Sequence, residues 1–85
     1  MKISYTDLFC KRYRRLPKNI KTKAEKAEEF FRHNPFNPKL KTHPLTGKLK
    51  GFYSFSIDYQ YRIIFTFENE SEVWFHNVGT HQIYK

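Results

Sequence analysis

The sequence holds one cysteine, Cys10, in 85 residues. No internal disulfide is possible, and a secreted domain this small would usually carry several, so the reducing cytoplasm is the expected compartment. Glycine occurs three times, at 47, 51 and 79, never as a cluster. That spacing excludes a Gly-rich phosphate loop and a dinucleotide fingerprint. There is no run of about 18 apolar residues and no N-terminal apolar stretch of signal-peptide type, so no membrane partner is expected. Acid is scarce where base is rich. Residues 1–50 hold 14 Lys/Arg against 4 Asp/Glu, whereas residues 51–85 hold 2 against 4. The first part is therefore +10, the second −2 and the whole chain +8. A footprint of this kind suits nucleic acid, a ribosome or an acidic protein.

What the chain has in quantity is aromatic side chain: nine Phe, six Tyr and one Trp. A chain this short buries only roughly 60–65% of its unfolded surface, and large rings compensate for a thin core. Residues 1–85 read as one domain. Lys2–Tyr5 is a short strand. Thr6 caps the helix that follows, with Asp7 in its favourable first turn. Phe9, Tyr13 and Leu16 form one apolar stripe, and Pro17 separates this helix from a second over Lys18–Arg32. In the second helix Ile20, Ala24, Ala27 and Phe30 or Phe31 recur at three- to four-residue steps. Pro35, Pro38, Asn34 and Asn37 break regular structure, so residues 33–51 read as a long basic loop.

Three strands follow: Phe52–Ile57, Tyr61–Phe67 and Val73–Val78. Tyr53, Phe55 and Ile57 share a face, as do Tyr61, Ile63, Phe65 and Phe67. In the last strand Val73 and Phe75 compete with Trp74 and Val78. The expected class is α+β: a short N-terminal strand and an antiparallel helix pair packed on a mainly antiparallel sheet meander. The sheet's free face should then show Phe52, Ser54, Ser56, Arg62, Thr66 and Asn77. His81 follows the last strand, where Gly79 lets the backbone turn, and His43 lies in the entering loop. His76, inside an apolar strand, reads as structural.

Arginine with histidine suits phosphodiester cleavage on RNA. RNA supplies its own nucleophile, the 2′-hydroxyl, so the protein need only move two protons and stabilise phosphate charge. That chemistry needs neither metal nor cofactor. The four histidines also lack the close spacing of a zinc site. The plainer reading is that a strand arginine pairs with an acid or lies on the surface, and that a terminal histidine is simply exposed.

The order of strand, two basic helices, loop, three-strand meander and closing Gly79-Thr80-His81-x-x-Tyr84 resembles the RelE/ParE superfamily of type II toxins. His43-Pro44-Leu45-Thr46-Gly47-Lys48-Leu49-Lys50-Gly51 is similar to the segment before the meander in mRNA-interferase members, particularly the YafQ-like branch. Tyr61-Arg62-Ile63-Ile64-Phe65 is similar to the family's Tyr-Arg-hydrophobic strand.

The resemblance implies a cytoplasmic toxin neutralised by an acidic antitoxin. Its activity would be a ribosome-dependent endoribonuclease that cuts mRNA in the A site and leaves a 2′,3′-cyclic phosphate. Arg62 matches the phosphate-contacting arginine, His81 a catalytic position after the last strand, and His43 a histidine of the YafQ-like branch. Lys48, Lys50, Ser56 and Tyr84 are the expected RNA and phosphate contacts, with the bases of the N-terminal helices binding rRNA or mRNA backbone. Ser54 and Ser56 stand where relatives often carry charge, and Gln60 where the YafQ-like branch has an acid. Two alternatives share the fold: a ParE-like, non-enzymatic inhibitor of DNA gyrase, and a degenerate member that only binds antitoxin.

Overall fold

The structure, a computed structural model, describes residues 1–84. Strand β1 (Lys2–Tyr5) leads through Thr6 into helix α1 (Asp7–Arg14). The Thr6 hydroxyl accepts the Phe9 N–H, satisfying one of the orphan donors of the first turn, and itself donates to the His76 carbonyl. Helix α2 (Lys18–His33) starts directly after Pro17. Its Ile20, Ala24, Ala27 and Phe31 are buried, whereas Phe30 is half-buried beneath the Lys39 ammonium, 4.9 Å from its ring. Phe31 is thus the residue that closes the helices on the sheet.

The sheet has five strands in the order β1-β5-β4-β3-β2, where β2 is His43–Pro44, β3 Tyr53–Ser56, β4 Arg62–Asn69 and β5 Glu72–Gly79. All neighbours are antiparallel except β1 and β5. A parallel partner needs a long crossover, and α1 and α2 lie within it. The core on the helix side is aromatic. Phe31 meets Phe55, Phe65 and Phe75 at ring separations of 4.9–5.3 Å, stacked on the first and edge-on to the other two. Leu40 joins this core from a 3₁₀ turn over Pro38–Leu40. Tyr5 ties β1 to α2 by donating to Glu28 at 2.5 Å; its pKa is pushed up to about 12, first by burial and then by that carboxylate. No described helix is long and apolar enough to cross a membrane.

Three expectations change. The stretch 33–51 is not simply loop: it carries 3₁₀ turns at Pro38–Leu40 and Gly47–Leu49 and supplies edge strand β2. The mixed faces of the last strand come from a β-bulge. Ile64 pairs with Asn77 but Phe65 with Phe75, so His76 is an extra residue and the inward series steps from Val73 and Phe75 to Val78. Finally, the second face of the sheet is not a free polar surface. Ser54 is fully buried and Ile64 is 3% exposed, and an apolar trough there is lined by Leu49, Phe52, Ile64 and Ile83.

Candidate active site at the C-terminal turn

β5 ends at Gly79, and a 3₁₀ turn over His81–Tyr84 follows, with the Ile83 N–H bonded to the Thr80 carbonyl at 3.0 Å. The turn folds back so that Ile83 is 9% exposed. A Cβ on Gly79 would stand 2.7 Å from the Ile83 Cγ2. Glycine is therefore required here for close approach. It does not serve to turn the backbone, because positive φ among the glycines is confined to Gly47 and Gly51. Beyond Ile83, the Tyr84 hydroxyl meets the Ser54 Oγ at 2.6 Å. Ser54 is buried because Tyr84 covers it, and it cannot offer its hydroxyl to a ligand. His81 is exposed on the same turn, its ring 5.9 Å from that of Tyr84 and inclined at 61°.

His43 reaches this region from the other side. It opens β2 and pairs in register with Ser54. Its Nδ1 lies 2.9 Å from the Lys41 carbonyl. A carbonyl only accepts, so Nδ1 carries the hydrogen and Nε2 is left as the acceptor of the neutral ring. Lys48 lies within the 3₁₀ turn over Gly47–Leu49, and Lys50 caps it. Gly47 and Gly51 flank the segment with φ of +65° and +96°, backbone that glycine adopts without strain. Lys48 lines an open cavity of about 330 Å³ with Tyr84, Leu45 and Thr46. The structure thus gathers His81, Tyr84, Ser54, His43 and Lys48 along one edge.

Arg62 lies on β4, beside the strand that ends in the His81 turn. It pairs with Ser56 on one side and Gly79 on the other, two residues before His81. Its Nη1 donates to the carbonyls of Asp58 at 2.6 Å and Tyr61 at 3.2 Å. The Asp58 carboxylate is engaged elsewhere, accepting the Tyr61 and Gln60 N–H groups and pairing with Lys23 at 3.5 Å. Burial alone would raise the Asp58 pKa, but those two backbone bonds and Lys23 outweigh it and hold the group below its usual range. Among the described residues no carboxylate neutralises Arg62. Its charge is positioned by the carbonyls of the β3–β4 turn. Ser56 shares a small cavity with Lys23, Lys26 and Lys39 beside α2, away from the His81 edge.

Solved structures share this architecture, among them the three that follow. YafQ from E. coli strain BL21(DE3) matches with a TM-score of 0.81 and 21% identity over 98% of this chain and 96% of that one. The YoeB/ParE toxin from Agrobacterium tumefaciens gives 0.80 and 20%, over 95% and 99%. The E. coli DinJ-YafQ toxin-antitoxin complex gives 0.77 and 21%, over 96% and 93%. The chain has the fold of these toxins. No family model and no curated protein matches its sequence.

Within this fold His76 has a structural place. Its Nε2 lies 2.7 Å from the Thr66 Oγ1, and its ring meets Phe52 edge-on at 5.1 Å. Burial disfavours the imidazolium and lowers its pKa. Among the described residues no three His, Cys, Asp or Glu side chains are grouped as a metal ion would need. Ser54 was expected on an open face and is instead covered by Tyr84. Its only signal was its position between Tyr53 and Phe55, and alternation alone assigns such a residue to the solvent side.

Proposed function

We propose that this chain is the toxin of a type II toxin–antitoxin pair and acts as a ribosome-dependent mRNA endoribonuclease in the cytoplasm. The observation that carries the reading is the Tyr84–Ser54 bond. It seats the His81 turn over the residue that pairs with His43, so two histidines and Lys48 share one edge. The fold adds support, since the similar proteins are toxins, one of them solved with its antitoxin.

In this mechanism the 2′-hydroxyl of the mRNA attacks the adjacent phosphorus. Its proton passes to the Nε2 of His43, which is the acceptor of that ring. The bond to the 5′-oxygen breaks, and His81 as imidazolium gives the leaving oxygen its proton, yielding a 2′,3′-cyclic phosphate and a 5′-hydroxyl. Arg62 stabilises the extra charge on the non-bridging oxygens. Lys48 and Lys50 hold the strand, and Tyr84 stacks on a base. The excess of positive charge matches both the ribosome and an acidic antitoxin.

The test is primer extension on mRNA after induction, for wild type and His81→Ala. Cuts that vanish in the variant are expected. Absence of cuts in the wild type, with DNA supercoiling altered instead, overturns the reading in favour of a gyrase inhibitor. The division of labour has its own test on programmed ribosomes. An mRNA with a 5′-bridging sulfur at the scissile bond has a leaving group that needs no proton. It should restore cleavage to His81→Ala and not to His43→Ala.

A further inference from the structure

The basic residues of α1 and its C-cap Arg15 do not form one undivided surface. Lys11, Arg12 and Arg15 line a cleft of about 410 Å³, together with Tyr61, Thr80 and Gln82. Its floor is apolar and no acidic side chain lines it. Arg14, on the same helix, belongs to a different groove that contains Glu28. Among the described residues the ion pairs are Lys23–Asp58 and Arg32–Glu28, so the three cations of the cleft have no carboxylate partner. One wall is formed by Gly79, Thr80, Gln82 and Ile83, the residues that flank His81. The opposite wall is the helix face, and Tyr61 adjoins Arg62 in sequence.

The geometry points to this cleft as a binding channel for the single-stranded RNA that continues from the scissile phosphate, with Arg12 and Arg15 on successive phosphates and Tyr61 stacked on a base. This rests on the nuclease reading, which it extends from the reacting phosphate to the path of the strand. Three features favour nucleic acid over an acidic peptide. The cleft is continuous with the His81 turn. Its cations include two arginines, whose planar forks fit phosphate oxygens bidentately. It also holds an aromatic ring beside them, the combination on which single strands are bound without sequence reading.

The probe is a 12-nucleotide RNA with 2′-O-methyl riboses, which binds without being cut. Its affinity for the full chain is measured between 0.05 and 0.3 M salt. Each phosphate contact on a single strand contributes about 0.7 to the slope of log K against log salt. Arg12→Gln with Arg15→Gln should therefore flatten the slope by about 1.4 and weaken binding about 25-fold at 0.1 M salt. Arg14→Gln with Lys26→Gln removes the same charge outside the cleft and should change the slope far less. Equal slopes for the two double variants overturn the proposal. So does a cleft variant that keeps its RNA slope but loses binding to a 12-residue oligoglutamate, which would mark a protein-docking groove. The two readings fail separately. Loss of the nuclease reading shows as no His81-dependent cuts with the cleft slope intact. Loss of the channel shows as an unchanged slope whatever the cuts do.

Discussion

Removing one hydroxyl from the Ser54–Tyr84 pair should cost different amounts depending on which hydroxyl is removed. Ser54 is wholly buried, and among the described residues Tyr84 is its side chain's only partner. Tyr84→Phe therefore strands a buried oxygen, which costs about 1–3 kcal/mol. Ser54→Ala leaves the hydroxyl of a half-buried tyrosine, which can turn to water, and loses only the net worth of the bond, about 0.5–1.5 kcal/mol. Tyr84→Phe should thus be the worse variant by about 1 kcal/mol, or roughly 4–8 °C in Tm for a domain of this size. The double variant removes both groups and should fall near Ser54→Ala. Urea unfolding at constant slope reads all three midpoints. A Tyr84→Phe protein as stable as Ser54→Ala would refute the reasoning, because the buried oxygen would then have another partner.

Gly79→Ala should destabilise by about 1–3 kcal/mol through overpacking, since the new Cβ meets a branched methyl of Ile83 rather than the end of a flexible chain. Adding Ile83→Val, which keeps the Cγ2 methyl, should restore little, and Ile83→Ala should relieve the clash, both read by thermal melts. Phe31→Ala should cost about 3–5 kcal/mol, because three rings lose their common neighbour. His76 has a folded pKa below its unfolded value, so the unfolded chain binds its proton first. Its contribution is full above the unfolded value near 6.5 and is lost as pH falls through the lower folded value. Wild type should lose more stability than His76→Gln between pH 7.5 and 5.5 in urea titrations, and parallel losses would contradict the assignment.

The local elements were legible because their signals are local. Thr6 ahead of Asp7 marked the cap, and Phe9 marked the buried side of the first helix. Ile63 and Phe65 alternated onto the helix face as expected. The last strand could not be resolved this way, because a bulge at His76 adds one residue and shifts every later side chain to the other face. Edge strand β2 was hidden for a related reason. His43–Pro44 has no strand pattern of its own and is extended because it pairs with β3.

The candidate site divides along the same line. Sequence by itself determined which groups were available: an arginine inside a strand, a histidine after the last one, a histidine in the entering segment and an excess of base in the first fifty residues. Tertiary structure decided which of them meet. It buried Ser54 under Tyr84, drew His81 and Lys48 to that edge, left Arg62 on the turn carbonyls, and divided the cations of α1 between two grooves. The reason is range. Periodicity records which face a residue takes relative to its near neighbours. What covers that face, here a turn thirty residues further along the chain, is fixed only when the sheet has formed.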